Sequence, residues 1–78
     1  MEIEVLGAGC PKCAALAANV EKAIGALGVD AKVVTVTDIV RIAERGVLLT
    51  PALALDGEVV SSGKVASVEE IKTLLSKA

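Results

Sequence analysis

The sequence predicts an α/β fold with the element order β-α-β-α-β-β-α, in which helices cover both faces of a mixed four-stranded sheet. Two patterns predict this fold class. A β-α-β pattern occupies the first half of the chain, and an Asp-Gly turn between two short apolar segments predicts an antiparallel hairpin in the second half. The chain has 78 residues, enough for one modest core, so we predict a single domain over residues 1–78.

The β-α-β pattern begins at residues 2–6, where polar and apolar side chains alternate and predict a strand. A flexible turn at residues 7–9 follows. Apolar residues at three- and four-residue steps then predict a long helix that stops at Gly28. Residues 32–36 are rich in β-branched side chains and follow this helical crossover, so we expect them to pair parallel to the first strand. The predicted buried face of the helix consists of Cys13, Leu16, Val20, Ile24 and Leu27.

A short helix is predicted next, because Asp38 can cap its start and Gly46 suits the left-handed conformation after its last turn. Residues 47–50 are predicted to link this helix to the hairpin. The apolar face of the short helix would consist of Ile39, Ile42 and Ala43.

The hairpin is predicted from residues 52–55 and 58–61, which flank Asp56-Gly57, a pair that suits a two-residue type I′ turn. The final helix is predicted to start at Ser67, because Ser67 and Glu70 form a capping-box pattern. Its buried face would consist of Val68, Ile71, Leu74 and Leu75.

Charge and composition argue against several functions. The formal net charge is -2, and acidic and basic residues are mixed along a chain without Phe, Tyr or Trp, so a nucleic-acid surface is not expected. No cationic segment precedes a long apolar one, so we expect neither a signal peptide nor a membrane span, and a cytoplasmic location. We expect a monomer with no bound cofactor.

The two cysteines carry the main functional signal. Cys10 and Cys13 are too close in sequence to staple distant parts of a fold, and in a reducing compartment their spacing indicates a redox motif or half of a metal site. Cys10 is the predicted N-cap of the first helix, where backbone N–H groups and the helix dipole stabilise a thiolate. Pro11 suits the first helical position, and Lys12 adds a nearby cation. Cys10 is therefore the predicted nucleophile.

Cys13 lies one helical turn further along, on the inward face, and is the predicted resolving thiol. In this chemistry an exposed thiolate attacks the disulfide of the partner, and the second thiol then displaces the partner from the mixed disulfide. The alternative is that the cysteines only pack as small apolar residues. For Lys12 the alternative is a solvated side chain without a role.

Glu4 lies on the strand that leads to the cysteines. Glutamates are rarely buried, so the sequence favours a strand on which Glu2 and Glu4 both face solvent. If Glu4 were instead covered by a helix, its carboxylate would be a possible proton relay for Cys13.

Four segments together resemble the small redox-active disulfide proteins, which are thioredoxin-like or glutaredoxin-like proteins of bacteria and archaea. These segments are residues 7–13, the Thr50-Pro51 step, the Asp56-Gly57 hairpin and residues 62–71. Their order and spacing cover nearly the whole chain. The resemblance implies a minimal thioredoxin fold and thiol-disulfide oxidoreductase activity, with Cys10 attacking and Cys13 resolving.

The resemblance also implies substrate-binding residues and partners. Pro51 would be in the cis form beside the cysteine pair, and the backbone at Thr50 would receive an extended segment of the substrate. Gly63 matches a glycine near the glutathione site of glutaredoxins. The implied partners are a protein substrate that contains a disulfide and an upstream reductase.

A soft-metal carrier is the main alternative function. Gly-x-x-Cys-x-x-Cys on the first loop also resembles heavy-metal-associated domains, whose thiolates would hold Cu(I) or Zn(II). Those domains follow the order β-α-β-β-α-β, which differs from the order predicted here. Two cysteines without a histidine also fall short of the four ligands of a closed zinc site.

Overall fold

The described part of the chain folds into four strands and three helices in the predicted order. The computed structural model describes residues 1–7, 11–47 and 49–77. The predicted fold class is confirmed, and β4 extends one residue beyond its predicted end. The elements are β1 (Glu2–Leu6), α1 (Pro11–Leu27), β2 (Lys32–Val36), α2 (Ile39–Glu44), β3 (Ala52–Leu55), β4 (Glu58–Ser62) and α3 (Val68–Lys77).

The sheet is mixed, with the strand order β2-β1-β3-β4. β1 pairs in parallel with β2 and antiparallel with β3, and β3 pairs antiparallel with β4. α1 provides the crossover that the parallel pairing of β1 and β2 needs. β1 therefore lies inside the sheet, between β2 and β3.

One end of the sheet gathers segments from distant parts of the sequence. Leu6 pairs with Val36, and the N–H of Gly7 donates a hydrogen bond to the Val36 carbonyl over 2.9 Å. Leu6 also pairs with Ala52, the first residue of β3, and Ala52 pairs with Ser62 at the end of β4. The ends of β1, β2 and β4 and the start of β3 therefore lie together, and we call this the Gly7 end of the sheet.

Helices cover both faces of the sheet, and each face has its own apolar core. α1 and α3 pack against each other over one face, which receives Ile3 and Val5 from β1. α2 covers the other face, where Ile42 packs with Leu6. Successive side chains of a strand point to opposite faces of the sheet. Because helices cover both faces, all four of residues 3–6 are buried. The larger core comprises Ile3, Val5, Leu16, Val20, Ala23, Leu53, Leu55, Ala66, Ile71 and Leu75.

Helix ends and the hairpin turn follow the predicted signals. The side chain of Asp38 accepts a hydrogen bond from the N–H of Val40, which caps α2. Gly46 follows that helix in the left-handed region, with φ of +76°. Asp56 and Gly57 have φ of +49° and +86°, as a type I′ turn requires.

The buried faces of α1 and α3 agree with the predictions only in part. Cys13, Leu16 and Val20 of α1 are buried, whereas Leu27 is exposed. Ala23 takes the last buried position of this helix. In α3, Ile71 and Leu75 are buried, and Val68 and Leu74 are half-buried at the margin of the core.

The apolar face predicted for α2 is wrong at two of its three residues. Ile42 is buried, but Ala43 is exposed and Ile39 is 72% exposed. α2 has only 6 residues, fewer than two turns, so one side chain reaches the sheet and the rest of the face does not. Val47, which was predicted to belong to a linker, is buried beside Ile42. Leu48 lies outside the described residues.

Ser67 and Glu70 form the predicted capping box at the start of α3. The N–H of Glu70 donates to the Ser67 hydroxyl over 3.1 Å, and the N–H of Ser67 donates to the Glu70 carboxylate over 3.3 Å. Lys64 donates to the second carboxylate oxygen over 2.6 Å. This hydrogen bond from Lys64, followed by that from the Ser67 backbone, lowers the pKa of Glu70 below its ordinary value of 4.5.

Glu70→Gln should therefore destabilise the protein in a way that depends on pH. The ionised form of Glu70 is favoured by folding, so its contribution is fully present above the unfolded-state pKa and is lost as the pH falls through the lowered folded-state pKa. Urea unfolding midpoints of the wild type and the variant should differ most above about pH 4.5 and converge in more acidic solution.

Glu21→Gln is the control for this measurement, because Glu21 is an exposed carboxylate of α1. Its effect on the unfolding midpoint should be small at every pH, as for most surface substitutions. A difference between wild type and Glu70→Gln that stays constant down to strongly acidic pH would contradict the proposed role of the Glu70 charge.

Candidate active site

The start of α1 holds the described half of the cysteine motif. α1 begins at Pro11, as predicted, and Lys12 is exposed. Cys13 is only 6% exposed, so its predicted inward position is confirmed. Cys10 lies outside the described residues, as do Ala8 and Gly9, and so does the N-cap position predicted for Cys10.

The Cys13 thiol packs directly against Gly7. Gly7 is buried, and a Cβ placed on it would collide with the Sγ of Cys13 and would lie 3.4 Å from the Cys13 Cβ. The φ angle of Gly7 lies outside the left-handed region, so its backbone conformation does not require glycine. The lack of a side chain is what admits the sulfur. Gly7 was predicted only as part of a flexible turn, because a close approach between residues of two elements leaves no local signal in the sequence.

Pro51 also lies near Gly7. The Thr50-Pro51 peptide bond is cis, which confirms the predicted geometry. Pro51 is fully buried, and its Cα lies 3.9 Å from the position that a Cβ of Gly7 would occupy. Gly7, Cys13 and Pro51 thus meet at one place, whereas Thr50 is exposed beside it.

Gly63 supports the segment that contains Pro51. The N–H of Gly63 donates a hydrogen bond to the Pro51 carbonyl over 2.9 Å. Gly63 has φ of +75°, a conformation that other L-residues rarely adopt, and a Cβ there would lie 3.1 Å from the Leu49 side chain. The structure therefore brings Gly63, named from a family resemblance alone, into backbone contact with Pro51.

Exposed apolar side chains lie around this end of the sheet. Ile39 and Val40 begin α2, which starts three residues after Val36, and the Val36 carbonyl accepts a hydrogen bond from Gly7. Leu49 lies against Gly63. Ile39, Val40 and Leu49 are all more than half exposed, and we call these three side chains the apolar rim.

Glu4 is the only charged residue that is buried in the described part of the chain, with 4% of its surface exposed. The prediction that Glu4 faces solvent beside Glu2 is wrong. The face of β1 that carries Glu4 is covered by α2, and the C-cap residue of that helix, Arg45, supplies a compensating charge. Arg45 is 41 positions away from Glu4 in sequence, so the pattern of residues in β1 does not predict this ion pair.

The Glu4–Arg45 ion pair uses both carboxylate oxygens. One terminal nitrogen of Arg45 donates to Oε2 over 3.1 Å, and Nε lies 3.0 Å from Oε1. The Nε–H group of Arg45 lies close to Oε1 but does not point at it well enough to form a hydrogen bond. Oε1 is therefore buried without a hydrogen-bond donor among the described residues. The hydrogen bond with Glu4, and then its negative charge, raise the pKa of Arg45 above its ordinary value.

None of the three described helices is long and apolar enough to cross a membrane. Within the same residues, no group of three or more His, Cys, Asp or Glu side chains is arranged to hold a metal ion. The described part of the site is thus a buried thiol, a cis-proline and an exposed apolar rim.

The chain is similar in sequence to known proteins over almost its whole length. Residues 1–76 match the family model of the thioredoxin domain. A thioredoxin of Methanocaldococcus jannaschii is 51% identical over 70 residues, which cover 90% of this chain and 80% of that protein. A thioredoxin of Methanothermobacter thermautotrophicus is 42% identical over 76 residues, which cover 97% of this chain and 99% of that protein.

The Glu4–Arg45 pair generates a prediction about stability. Arg45→Met should lower the urea unfolding midpoint more than the double variant Glu4→Leu/Arg45→Met does. The single variant leaves a buried carboxylate without its counter-charge, whereas the double variant replaces both charges by apolar groups. Arg41→Met removes an exposed cation from the same helix and should change the midpoint little. Equal losses for Arg45→Met and the double variant would show that the pair does not matter to folding.

Proposed function

The chain belongs to the thioredoxin family of thiol-disulfide oxidoreductases, and we propose that it exchanges thiols for disulfides through Cys10 and Cys13. The observation that carries this proposal is the position of Cys13. Its thiol is buried at the start of a helix and packs against Gly7, next to the cis-Pro51. The whole of residues 1–78 acts as one domain in this proposal.

The reaction transfers two electrons from the cysteine pair to a substrate disulfide. The Cys10 thiolate attacks one sulfur of the substrate, so that a mixed disulfide forms, the substrate S–S bond breaks and one substrate thiolate leaves. The Cys13 sulfur, after losing its proton, attacks the Cys10 sulfur and expels the second substrate thiolate. The substrate gains two thiols once its thiolates are protonated, and the Cys10–Cys13 pair becomes a disulfide. An upstream reductase returns the pair to the dithiol form.

The two cysteines divide the work because their surroundings differ. Cys10 precedes the first residue of α1, where the helix dipole and the cation of Lys12 favour a thiolate. Pro11 begins the helix without losing a needed hydrogen bond. The burial of Cys13 supports the resolving role, because a shielded thiol is reached by the mixed disulfide formed next to it and not by an outside substrate.

A disulfide-containing protein is the proposed substrate. Thr50 is exposed next to the buried Pro51, and its backbone would offer hydrogen-bonding groups to an extended substrate segment, in the manner of an added strand. The apolar rim gives the residues that flank the substrate disulfide an apolar surface to contact. Gly63 contributes by holding the Pro51 carbonyl, with which its N–H is already bonded.

Glu4 is the proposed proton relay for Cys13. Its Oε1 atom has no aligned donor among the described residues, which leaves a lone pair to accept a proton. Glu4 lies three residues before Gly7 on β1, on the same face of the strand as Leu6, which packs against Ile42 of α2. Arg45 holds the carboxylate in place.

The alternative function of a soft-metal carrier has no support. The observed order β-α-β-α-β-β-α differs from that of heavy-metal-associated domains, and the family match is to the thioredoxin domain. The proposed function is therefore electron transfer by thiol-disulfide exchange, and not metal transport. We place the protein in the cytoplasm, as a monomer, where a reductase keeps the pair reduced.

The division of labour can be tested with an aryl disulfide that releases a coloured thiolate. The reduced wild type should release one thiolate at a rate proportional to the reagent concentration and a second at a rate independent of it, as Cys13 resolves the mixed disulfide. Cys13→Ser should show only the first phase and retain the aryl group. Cys10→Ser should react slowly in the folded state.

The pH dependence of the first phase should place the pKa of Cys10 below the ordinary thiol value of about 8.5. Metal analysis of the same anaerobic sample completes the test. Equal reactivity of the two single variants, or thiols that remain bound to stoichiometric metal, would contradict the proposed exchange.

The relay role of Glu4 predicts a selective effect on the second phase. Glu4→Gln should slow the release of the second thiolate by about 100-fold or more, since one general base contributes about 10²- to 10⁴-fold, and should change the pH profile of this phase. The first phase should stay within about twofold of the wild type. Glu2→Gln, an exposed carboxylate of the same strand, should change neither phase. A second phase of Glu4→Gln with the wild-type rate and pH profile would eliminate the relay.

A further inference from the structure

We propose that Gly7 is a positioning residue for the second step of exchange, because its bare Cα provides the space in which the Cys13 sulfur reaches its resolving position. This inference rests on the proposed exchange reaction. It assigns a role to a residue that the cysteine motif itself does not include. The role of Gly7 is steric: the absence of a side chain leaves space for the Cys13 sulfur.

The atom that lies where a side chain of Gly7 would begin is the Cys13 sulfur. A Cβ on Gly7 would collide with Sγ, but would lie at an ordinary contact distance of 3.4 Å from the Cys13 Cβ and 3.9 Å from the Pro51 Cα. Gly7 does not need a left-handed φ, so among the described residues the conflict of a methyl group at this position is with the Sγ of Cys13. The backbone of Gly7 also has little room to retreat, since its N–H is bonded to the Val36 carbonyl in the sheet.

A displaced sulfur affects the two steps of exchange differently. In the first step Cys10 attacks the substrate, and the Cys13 sulfur forms no bond. In the second step the Cys13 sulfur must approach the Cys10 sulfur in line with the bond that breaks, so its position enters the rate directly. Misplacement of a reacting atom by about 1 Å can cost about 100-fold in rate. Gly7 therefore controls how quickly the mixed disulfide is resolved.

The first experiment tests whether the steric conflict is with the sulfur. Urea unfolding midpoints are compared for Gly7→Ala, Cys13→Ala and the double variant, all in reducing buffer. Gly7→Ala should lower the midpoint in the wild-type background and should cause a much smaller loss in the Cys13→Ala background, from which Sγ is absent. Gly25→Ala is the matched control, because Gly25 lies in α1 where an added Cβ would point into open space, and its effect should be the same in both backgrounds.

The second experiment measures the two phases of thiolate release from the aryl disulfide. Gly7→Ala should slow the second phase by about tenfold or more and leave the first phase within about twofold of the wild type. Gly25→Ala should leave both phases unchanged. A general loss of structure would instead expose both thiols and alter the first phase as well, so the ratio of the phases separates positioning from destabilisation.

The outcomes distinguish the inference from the function on which it rests. A wild type without a second phase would overturn the exchange mechanism itself. A wild type with both phases, together with a Gly7→Ala variant whose second phase is unchanged, would overturn only the role of Gly7. If Gly7→Ala does not fold, the double variant with Cys13→Ala decides: a folded double variant supports the conflict with Sγ, and an unfolded one refutes it.

Discussion

The contact between the Cys13 sulfur and the bare Cα of Gly7 is the constraint around which the Gly7 end of the sheet is arranged. It brings Cys13, in the first turn of α1, against Gly7, the residue that follows β1. Pro51 closes the same space from the start of β3, and the Gly63 N–H holds its carbonyl. Segments from across the sequence thus converge on one sulfur, and the pairing of β1 with both β2 and β3 keeps them together.

The second feature of the fold is that a domain of this size buries its central strand on both sides. α1 and α3 cover one face and the short α2 covers the other, so β1 has no face exposed to solvent beyond Glu2. A carboxylate on such a strand needs a partner, and Arg45 at the end of α2 provides it. This ion pair makes the burial of Glu4 tolerable, three residues before Gly7 on the same strand.

Much of the fold could be predicted because its signals are local. The capping box at Ser67, the Asp56-Gly57 turn and the helical stop at Gly46 each depend on a few neighbouring residues, and all are present. The predictions that failed concern the exposure of Ile39 and the burial of Glu4, which depend on how far a short helix covers a sheet. The significance of Gly7 was missed for the same reason, since its neighbour in space belongs to another element.

The sequence by itself determined the order of the elements, the mixed sheet and the spacing of two cysteines where a helix is predicted to start, because periodicity, turn residues and cysteine spacing are properties of consecutive residues. Only the tertiary structure decided which side chains share a space. It set Cys13 on Gly7, Pro51 beside them and Arg45 on Glu4, because each of these contacts joins residues of different elements. Such contacts depend on how layers pack, which no local pattern records.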